Sequence, residues 1–256
     1  MSNRVIWITG ASSGIGKALA IKFAKEGWKV AISARRENLL NEIAKIHNDI
    51  YPFPLDVTDS EKCKEIFKNI LEKFKNIDIS VFCTGIRGSA EDKSLNLEKI
   101  RKIMEVNFFG TINSVNAVYN YYDERKSGQI SIVSSIIGNR GLPGSGAYCA
   151  SKSAITRFTE SLYFEMKKKN VKVSIINPGP IKTIMNQKSN YPEILIKSPE
   201  FAAEKIFIGL TKKNNFEIHF PRTFTYLIKF IQILPNSIYF GIINFGKKFI
   251  ERENKQ

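Results

Sequence analysis

The sequence predicts an α/β fold, in which a doubly wound parallel sheet has helices on both faces, in a single domain that ends in a helical extension. Short, almost continuously apolar runs alternate with segments of helical periodicity along most of the chain. Such alternation is typical of a parallel sheet, whose strands are buried on both faces. The 256 residues are 43% hydrophobic and 25% charged, as in globular domains, which excludes disordered, collagen-like and multi-span membrane chains.

Each element follows from the local sequence. Runs of mainly apolar residues predict strands at 5–9, 29–33, 50–55, 79–83, 129–134 and 171–176. Apolar residues at helical spacing predict helices at 14–26, 38–45, 97–122 and 148–169. A further helix begins after Asp59, its expected N-cap, and its apolar positions 63, 66, 67, 70, 71 and 74 lie on one face. We expect that helix to bury this single face.

Charge and cysteine content narrow the class of protein. The chain carries 39 basic and 24 acidic residues, a formal net charge of +15. Its lysines are spread over helix faces among glutamates, whereas base readout favours clustered arginines, so we do not expect a nucleic-acid partner. Three scattered cysteines, Cys63, Cys83 and Cys149, provide neither a disulfide framework nor a metal site. The first apolar run is too short for a secretion signal, and a cytoplasmic protein is expected.

A glycine-rich turn follows the first strand, with glycines at positions 10, 14 and 16. Residues without a Cβ permit a tight turn and let backbone N–H groups and a helix N-terminus approach a pyrophosphate. Three glycines alone are weak evidence, but their place between a strand and a helix indicates a dinucleotide site. The expected cofactor contacts in this turn are Gly10, Ser12, Ser13, Gly14, Ile15 and Gly16.

The ends of the next two strands bear on the choice of cofactor. NAD-binding folds of this kind place an acid after the second strand for the ribose 2′-hydroxyl, whereas NADP requires a cation for the 2′-phosphate. This chain has Arg35 and Arg36 there and no acid, which favours NADP(H) over NAD(H). The alternative is that both arginines are merely exposed. After the third strand, Asp56 and Val57 are expected beside the adenine, with Asp56 either accepting from its amino group or closing a turn.

A second group of polar residues points to proton transfer. Tyr148 and Lys152 are four residues apart, on one face of a helix. A phenol has an ordinary pKa of about 10, so it acts at neutral pH only beside a cation that favours its phenolate. Lys152 supplies that cation, and Ser135, at the end of the preceding strand, is placed to donate to a substrate oxygen. Each residue alone has a structural explanation, but together with Asn107 in the helix before they favour hydride transfer.

These motifs together resemble those of the short-chain dehydrogenase/reductase family over residues 4–220. The resemblance rests on the turn at 9–16, Asp56, Asn107, Ser134 with Ser135, the segment 148–152, and Asn177-Pro178-Gly179. It implies a Rossmann-type fold that binds NAD(P), with Tyr148 as catalytic acid/base and Lys152 lowering its pKa and holding the nicotinamide ribose. It also implies that Ser135 donates to the substrate oxygen and that Asn107 positions a proton-relay water.

The resemblance further assigns the loops around the cofactor. It implies that the substrate loop spans about 180–198 and that other cofactor contacts are Gly85, Pro178, Gly179, Ile181 and Thr183. One segment departs from the family pattern, because residues 82–85 read Phe-Cys-Thr-Gly where the family usually has Asn-Asn-Ala-Gly. The contacts of that asparagine near the adenine are therefore not carried over. We expect altered cofactor affinity and retained activity.

The expected substrate walls are apolar and predict a lipophilic carbonyl or alcohol. They are Ile136, Ile137, Leu142, Ile184 and Met185, for which core packing is the alternative. No charged residue is an obvious anchor for a substrate anion, although Arg87, Arg140 and Lys182 are candidates.

The chain divides into a catalytic unit, 1–220, and a basic, apolar extension, 221–256. The extension carries six basic and two acidic side chains with several aromatics, and Pro235 separates two expected short helices. Neither helix has the roughly 20 apolar residues that span a bilayer. The extension has three possible roles, namely a cap over the substrate mouth, a subunit contact and an in-plane membrane anchor. Whether the chain forms a homo-oligomer is also open.

The sequence therefore predicts an NADP(H)-dependent oxidoreductase that transfers a hydride between the nicotinamide and a lipophilic carbonyl or alcohol, acting on CH–OH groups. The alternative is a non-catalytic, dinucleotide-binding regulatory or membrane-associated protein on the same fold. The joint presence of Asn107, Ser135, Tyr148 and Lys152 favours the enzyme.

Overall fold

A computed structural model describes residues 4–88, 95–186, 195–213 and 215–253, with side chains up to residue 246. Seven parallel strands form one sheet in the order β3-β2-β1-β4-β5-β6-β7. The strands are β1 (Val5–Thr9), β2 (Lys29–Ser33), β3 (Ile50–Pro52), β4 (Ile79–Phe82), β5 (Gln129–Val133), β6 (Lys172–Pro178) and β7 (Glu217–Phe220). The predicted doubly wound Rossmann-type sheet is confirmed.

Helices cover both faces of this sheet. They are α1 (Gly14–Lys25), α2 (Glu37–Ala44), α3 (Ser60–Phe74), α4 (Leu97–Met104), α5 (Gly110–Arg125), α6 (Gly146–Lys167), α7 (Pro199–Thr211), α8 (Arg222–Ile233) and α9 (Asn236–Glu253). On one face α1, α2 and α7 pack against the sheet around Phe23 and Ile206. On the other face α3, α5 and α6 pack around Trp7 and Tyr122.

The strand order reverses between β1 and β4, and this reversal fixes where a ligand binds. In open α/β sheets, ligands bind beyond the carboxyl ends of the strands at such a switch point. The loops after β1, β2, β4 and β5 meet at that edge, so the segments predicted to carry chemistry lie together.

Most predicted elements occur within a few residues of their expected bounds. Asp59 caps α3 as expected, because its carboxylate accepts from the Lys62 backbone N–H at 2.9 Å. The buried face of α3 is also confirmed, with Cys63, Ile66 and Ile70 inside the core. Pro235 separates α8 from α9 as predicted.

Two elements differ from the prediction. The third strand ends at Pro52 rather than at residue 55, although the Phe53 N–H still donates to the Ile32 carbonyl at 2.8 Å. Pro52 lies on the edge strand β3, where its missing N–H is tolerated. The helix expected over 97–122 is interrupted by a π-helical turn, Glu105–Phe109, between α4 and α5. That turn contains Asn107, and π turns are frequent at functional sites.

The extension packs on the sheet domain through α8 and through the first residues of α9. Within the described residues, none of the helices is both long enough and apolar enough to cross a bilayer.

Candidate active site

A cavity of about 280 Å³ opens at the carboxyl edge of the sheet. Every residue predicted to bind the cofactor lines it. These residues are Gly10, Ser12, Ser13, Gly14, Ile15, Gly16, Arg35, Arg36, Asp56, Val57, Gly85, Tyr148, Lys152, Pro178, Gly179, Ile181 and Thr183. The cavity therefore joins the glycine-rich turn at one end to Tyr148 and Lys152 at the other.

The glycine-rich turn depends on the absence of Cβ atoms. Gly10 has a φ of +68°, and a Cβ on it would lie 2.7 Å from the Cys83 carbonyl oxygen. A Cβ on Gly16 would lie 2.5 Å from the Gly10 carbonyl oxygen. The turn thus brings the N-terminus of α1 to the cavity wall, where backbone N–H groups suit a pyrophosphate.

An unsatisfied polar atom beside this turn also fits a nucleotide. Thr84 lines the cavity, and its Oγ1 is buried without a hydrogen-bond partner among the described residues. A buried hydroxyl normally has a partner, so a ligand group is the expected one here. Thr84 stands in the segment that departs from the family pattern.

Two guanidinium groups lie at the adenosine end of the cavity. Arg36 Nη2 donates to Ser12 Oγ at 2.9 Å and to Ser13 Oγ at 3.2 Å. Arg35 Nη1 lies 3.9 Å from Asp56 Oδ2. Both arginines are exposed, which the alternative interpretation also expects. Both nevertheless line the cavity beside the glycine-rich turn. Their charge and donor geometry fit a phosphate monoester.

One carboxylate oxygen of Asp56 accepts hydrogen bonds within a turn. Its Oδ1 accepts from the Thr58 backbone N–H at 3.0 Å and from Thr58 Oγ1 at 2.9 Å. The turn interpretation of Asp56 thus holds for Oδ1, while the carboxylate as a whole still lines the cavity.

Lys152 is buried next to Tyr148. Its Nζ donates to the Val133 carbonyl at 3.0 Å and lies 5.9 Å from the centroid of the Tyr148 ring. Burial penalises the ammonium form and lowers the pKa of Lys152 to about 8. A second cation, Arg87, has its Cζ 5.7 Å from the same centroid. The sequence did not predict that Arg87 packs on Tyr148, because the two residues are 61 positions apart and meet only through the fold.

Ser135 stands where β5 ends and a short 3-10 turn, Ile136–Asn139, begins. Its Oγ accepts from the Ile137 backbone N–H at 3.4 Å. Since the hydroxyl accepts in that contact, its proton remains available for donation into the cavity. The neighbouring Ser134 Oγ donates to the Lys152 carbonyl at 3.0 Å, which holds the end of β5 against α6.

Asn107 is fully buried and does not line the cavity. Its Oδ1 accepts from the Ile86 backbone N–H at 2.7 Å, and its Nδ2 donates to the Ile86 carbonyl at 2.9 Å and to Ser151 Oγ at 3.0 Å. The side chain therefore connects the loop after β4 to α6. A Cβ on Gly85 would lie 3.6 Å from Asn107 Oδ1 and 3.5 Å from Lys152 Nζ, so the three residues converge.

The substrate end of the cavity is largely apolar, as predicted. Ile136, Ile137, Ile184 and Met185 line it, whereas Leu142 does not. Phe224 of α8 lines it as well, a contribution from the extension that local sequence patterns do not indicate. Of the predicted substrate loop, 187–194 falls outside the described residues.

One predicted anion anchor is used elsewhere. Arg140 donates to the carbonyls of Gln232 and Leu234, each at 3.0 Å, and to Asn236 Oδ1 at 2.7 Å. Arg140 thus attaches the extension, and it does not line the cavity. Of the other two candidates, Arg87 lines the cavity and Lys182 does not.

Comparison with known proteins agrees with this geometry. A family model described as short chain dehydrogenase matches residues 4–193. An uncharacterized oxidoreductase of Myxococcus xanthus is 31% identical over 243 residues, covering 93% of this chain and 96% of that protein. The 3-oxoacyl-(acyl-carrier-protein) reductase FabG of Thermotoga maritima is 34% identical over 213 residues, covering 82% and 85%. A solved structure titled "ElxO with NADP Bound" is 27% identical, with a TM-score of 0.76 and coverage of 85% and 97%.

Proposed function

Because the chain belongs to the short-chain dehydrogenase/reductase family of oxidoreductases, we propose that it is an NADP(H)-dependent enzyme acting on a lipophilic carbonyl or alcohol. The observation that carries the proposal is the placement of Tyr148, Lys152 and Ser135 on one cavity with the glycine-rich turn. In this proposal residues 1–220 are the catalytic unit, and 221–256 are an extension that adds to the substrate wall through Phe224.

The residues around the cavity are divided between the two parts of the cofactor. The turn at 10–16 would hold the pyrophosphate, Arg35 and Arg36 the 2′-phosphate, and Asp56, Val57 and Thr84 the adenosine. Gly85, Lys152 and the end of β6 with the loop that follows it (Pro178, Gly179, Ile181 and Thr183) would hold the nicotinamide riboside. NADP(H) supplies or accepts the hydride when bound. The likeness of the chain to a solved structure that is titled as NADP-bound supports this assignment.

The proton moves at the substrate oxygen. In the reductive direction the Tyr148 hydroxyl gives its proton to that oxygen, and the Lys152 ammonium stabilises the phenolate that remains. Ser135 Oγ donates to the same oxygen and stabilises its developing negative charge. Arg87 adds a second positive charge beside the Tyr148 ring. In the oxidative direction the phenolate takes the proton back. Asn107 acts by positioning α6 and the loop after β4.

The substrate class follows from the wall. Among the described residues, isoleucine, methionine and phenylalanine side chains form most of the substrate wall beside Arg87, which suits an aliphatic aldehyde, ketone or 3-oxo thioester. Lipophilic substrates gain binding free energy from the area they bury there.

The test is a screen of NADPH oxidation with such aldehydes, ketones and 3-oxo thioesters, and of NADP⁺ reduction with the corresponding alcohols. With any substrate found, Tyr148→Phe is expected to lower kcat by at least about a thousandfold while the NADPH dissociation constant changes less than about threefold. The matched control is Tyr163→Phe, which changes a tyrosine that lies on the same helix but outside the cavity. Turnover by Tyr148→Phe at the rate of the control would contradict the mechanism.

A further inference from the structure

Helix α8 turns its polar side toward the protein. Thr225 is fully buried, and its hydroxyl lies 2.6 Å from His219 Nδ1. Lys229 forms an ion pair with Glu217 of β7. Gln232 Nε2 donates to the Ile136 carbonyl at 2.9 Å. These three residues follow one another at helical spacing, so one polar stripe attaches the helix to the sheet domain.

The opposite side of α8 is apolar and exposed. Tyr226, Leu227, Phe230 and Ile233 are 57%, 56%, 59% and 78% exposed, and we call this stripe the outer face. A surface helix of a globular protein normally has the reverse arrangement, with its apolar stripe toward the core. Single exposed apolar residues are common, but a stripe of four on one helix indicates an interaction surface.

Helix α9 repeats this arrangement. Tyr239 is buried, and its hydroxyl donates to the Gly141 carbonyl at 2.9 Å. Ile238, Phe240 and Phe245 are half or more exposed. Apolar exposure therefore continues beyond Pro235 along the same extension.

A basic groove lies beside the outer face. It has a volume of about 430 Å³ and lies between α7 and the edge strand β7, with Lys205, Lys213 and Arg222 in its wall. The acidic residue of the groove, Glu217, is paired with Lys229. The ring of Tyr226 packs on that of His219, another groove residue, with centroids 4.8 Å apart. Cations and exposed apolar rings are thus contiguous at the start of α8.

We propose that the outer face of α8 docks on an anionic lipid bilayer. The apolar side chains would enter the boundary between headgroups and acyl chains, and Lys205, Lys213 and Arg222 would contact lipid phosphates. A second copy of the chain suits the surface less well, because its groove would bring the same cations together. With a net charge of +15, the whole chain is attracted to an anionic surface.

Docking in this orientation would place the cavity near the lipid. Phe224, which lines the cavity, is one helical turn before Leu227 of the outer face. Ile184 and Met185, exposed at 64% and 42%, line the same cavity. A lipophilic substrate would then enter from the membrane. This route rests on the proposed function, whereas docking itself does not.

The experiment is flotation of the full-length protein with phosphatidylcholine vesicles, with and without phosphatidylglycerol. We expect flotation with the phosphatidylglycerol vesicles and a loss at high salt. The double variant Phe230→Ser/Ile233→Ser should bind them at least about tenfold more weakly, since it removes apolar insertion. Phe164→Ser, which changes an equally exposed phenylalanine of α6, should bind as the unmodified chain does.

The contribution of the groove cations to vesicle binding is tested with a second double variant and its control. Lys205→Gln/Arg222→Gln is expected to weaken vesicle binding about tenfold or more, and Lys64→Gln/Lys68→Gln on α3 to weaken it only slightly. Circular dichroism and thermal unfolding of each variant verify the fold independently of cofactor and substrate. The proposal is overturned if the unmodified chain does not float with the vesicles, or if Phe230→Ser/Ile233→Ser binds them as tightly as the unmodified chain does. It is also overturned if this double variant converts a dimer to a monomer while vesicle binding stays unchanged. If the unmodified chain floats with the vesicles but turns over none of the screened substrates, the result counts against the proposed function alone.

Discussion

The side-chain amide of Asn107 donates a hydrogen bond of 3.0 Å to the hydroxyl of Ser151. Ser151 in turn donates to the Tyr148 carbonyl at 2.8 Å and directly precedes Lys152. Asn107 thus reaches the proposed proton-transfer residues through Ser151 rather than through the cavity. This contact aligns the first turn of α6 with the loop that contains Gly85.

Ser151→Ala tests this positioning. We expect kcat to fall about tenfold with little change in KM or NADPH affinity, because the contact orients Tyr148 and Lys152 without touching a ligand. The unfolding free energy should fall by about 1 kcal/mol. Ser114→Ala removes a similarly buried hydroxyl that donates to the Gly110 carbonyl, and it should lower stability without lowering kcat. Equal kcat losses in both variants would indicate a purely structural role.

Arg36→Met tests the choice of cofactor, and Arg35→Ala does so independently. Each is expected to raise the NADPH dissociation constant about 10- to 100-fold, the effect of losing a charged hydrogen bond to phosphate. NADH affinity should change less than about threefold, because NADH has no 2′-phosphate. Calorimetric titration with both nucleotides measures the difference. If neither variant alters NADPH affinity, the assignment of the 2′-phosphate to this pair is wrong.

Thr84→Val separates cofactor binding from stability. The Thr84 hydroxyl has no partner in the described part of the protein, so its replacement by a methyl group should leave the unliganded protein as stable or more stable. NADPH affinity should fall about 3- to 10-fold if the hydroxyl binds the nucleotide. Chemical denaturation and titration give the two values. Unchanged NADPH affinity would exclude Thr84 from the cofactor site.

The pH dependence of reduction tests the role of the Lys152 charge. The pKa of Lys152 is about 8, so the amine becomes neutral as the pH rises through that value and no longer stabilises the phenolate. We expect kcat/KM for reduction to decrease above about pH 8 and to be retained below it. Lys152→Arg keeps its charge, so its activity, although lower, should decrease only at higher pH. A decrease at the same pH in both proteins would assign it to another group.

Arg140→Met tests how the extension is attached. Methionine has no N–H to donate, so two carbonyls at the end of α8 lose their donor. The contact of Arg140 Cζ with the Tyr239 ring, 4.0 Å from its centroid, is lost as well. We expect faster hydrogen exchange over 222–246, with a local destabilisation of about 1–3 kcal/mol. Arg157→Met, which removes an exposed pair with Glu160, should leave that exchange unchanged.

Local chemistry made part of this site predictable. Tyr148 and Lys152 share a helix face, and the glycines of the first turn directly follow a strand. These local patterns predicted the site when they were taken together. The π turn at Asn107 was not predicted, because apolar periodicity continues through it. Arg87 on Tyr148 and Phe224 in the cavity are tertiary contacts without a local signal. The contacts of Arg140 with the extension also had no local signal, because its partners are more than 90 positions away.

The contact between Gln232 and the Ile136 carbonyl has a practical consequence for handling the protein. Ile136 is adjacent to Ser135 and also contributes to the cavity wall, so a force that displaces α8 is transmitted across one peptide bond to the proposed oxyanion donor. An affinity tag or fusion partner attached after residue 256 is joined to the chain through α9 and α8. Kinetic constants are therefore best determined with tags removed from the C-terminus, and immobilisation chemistry is better directed to α3 than to the last two helices.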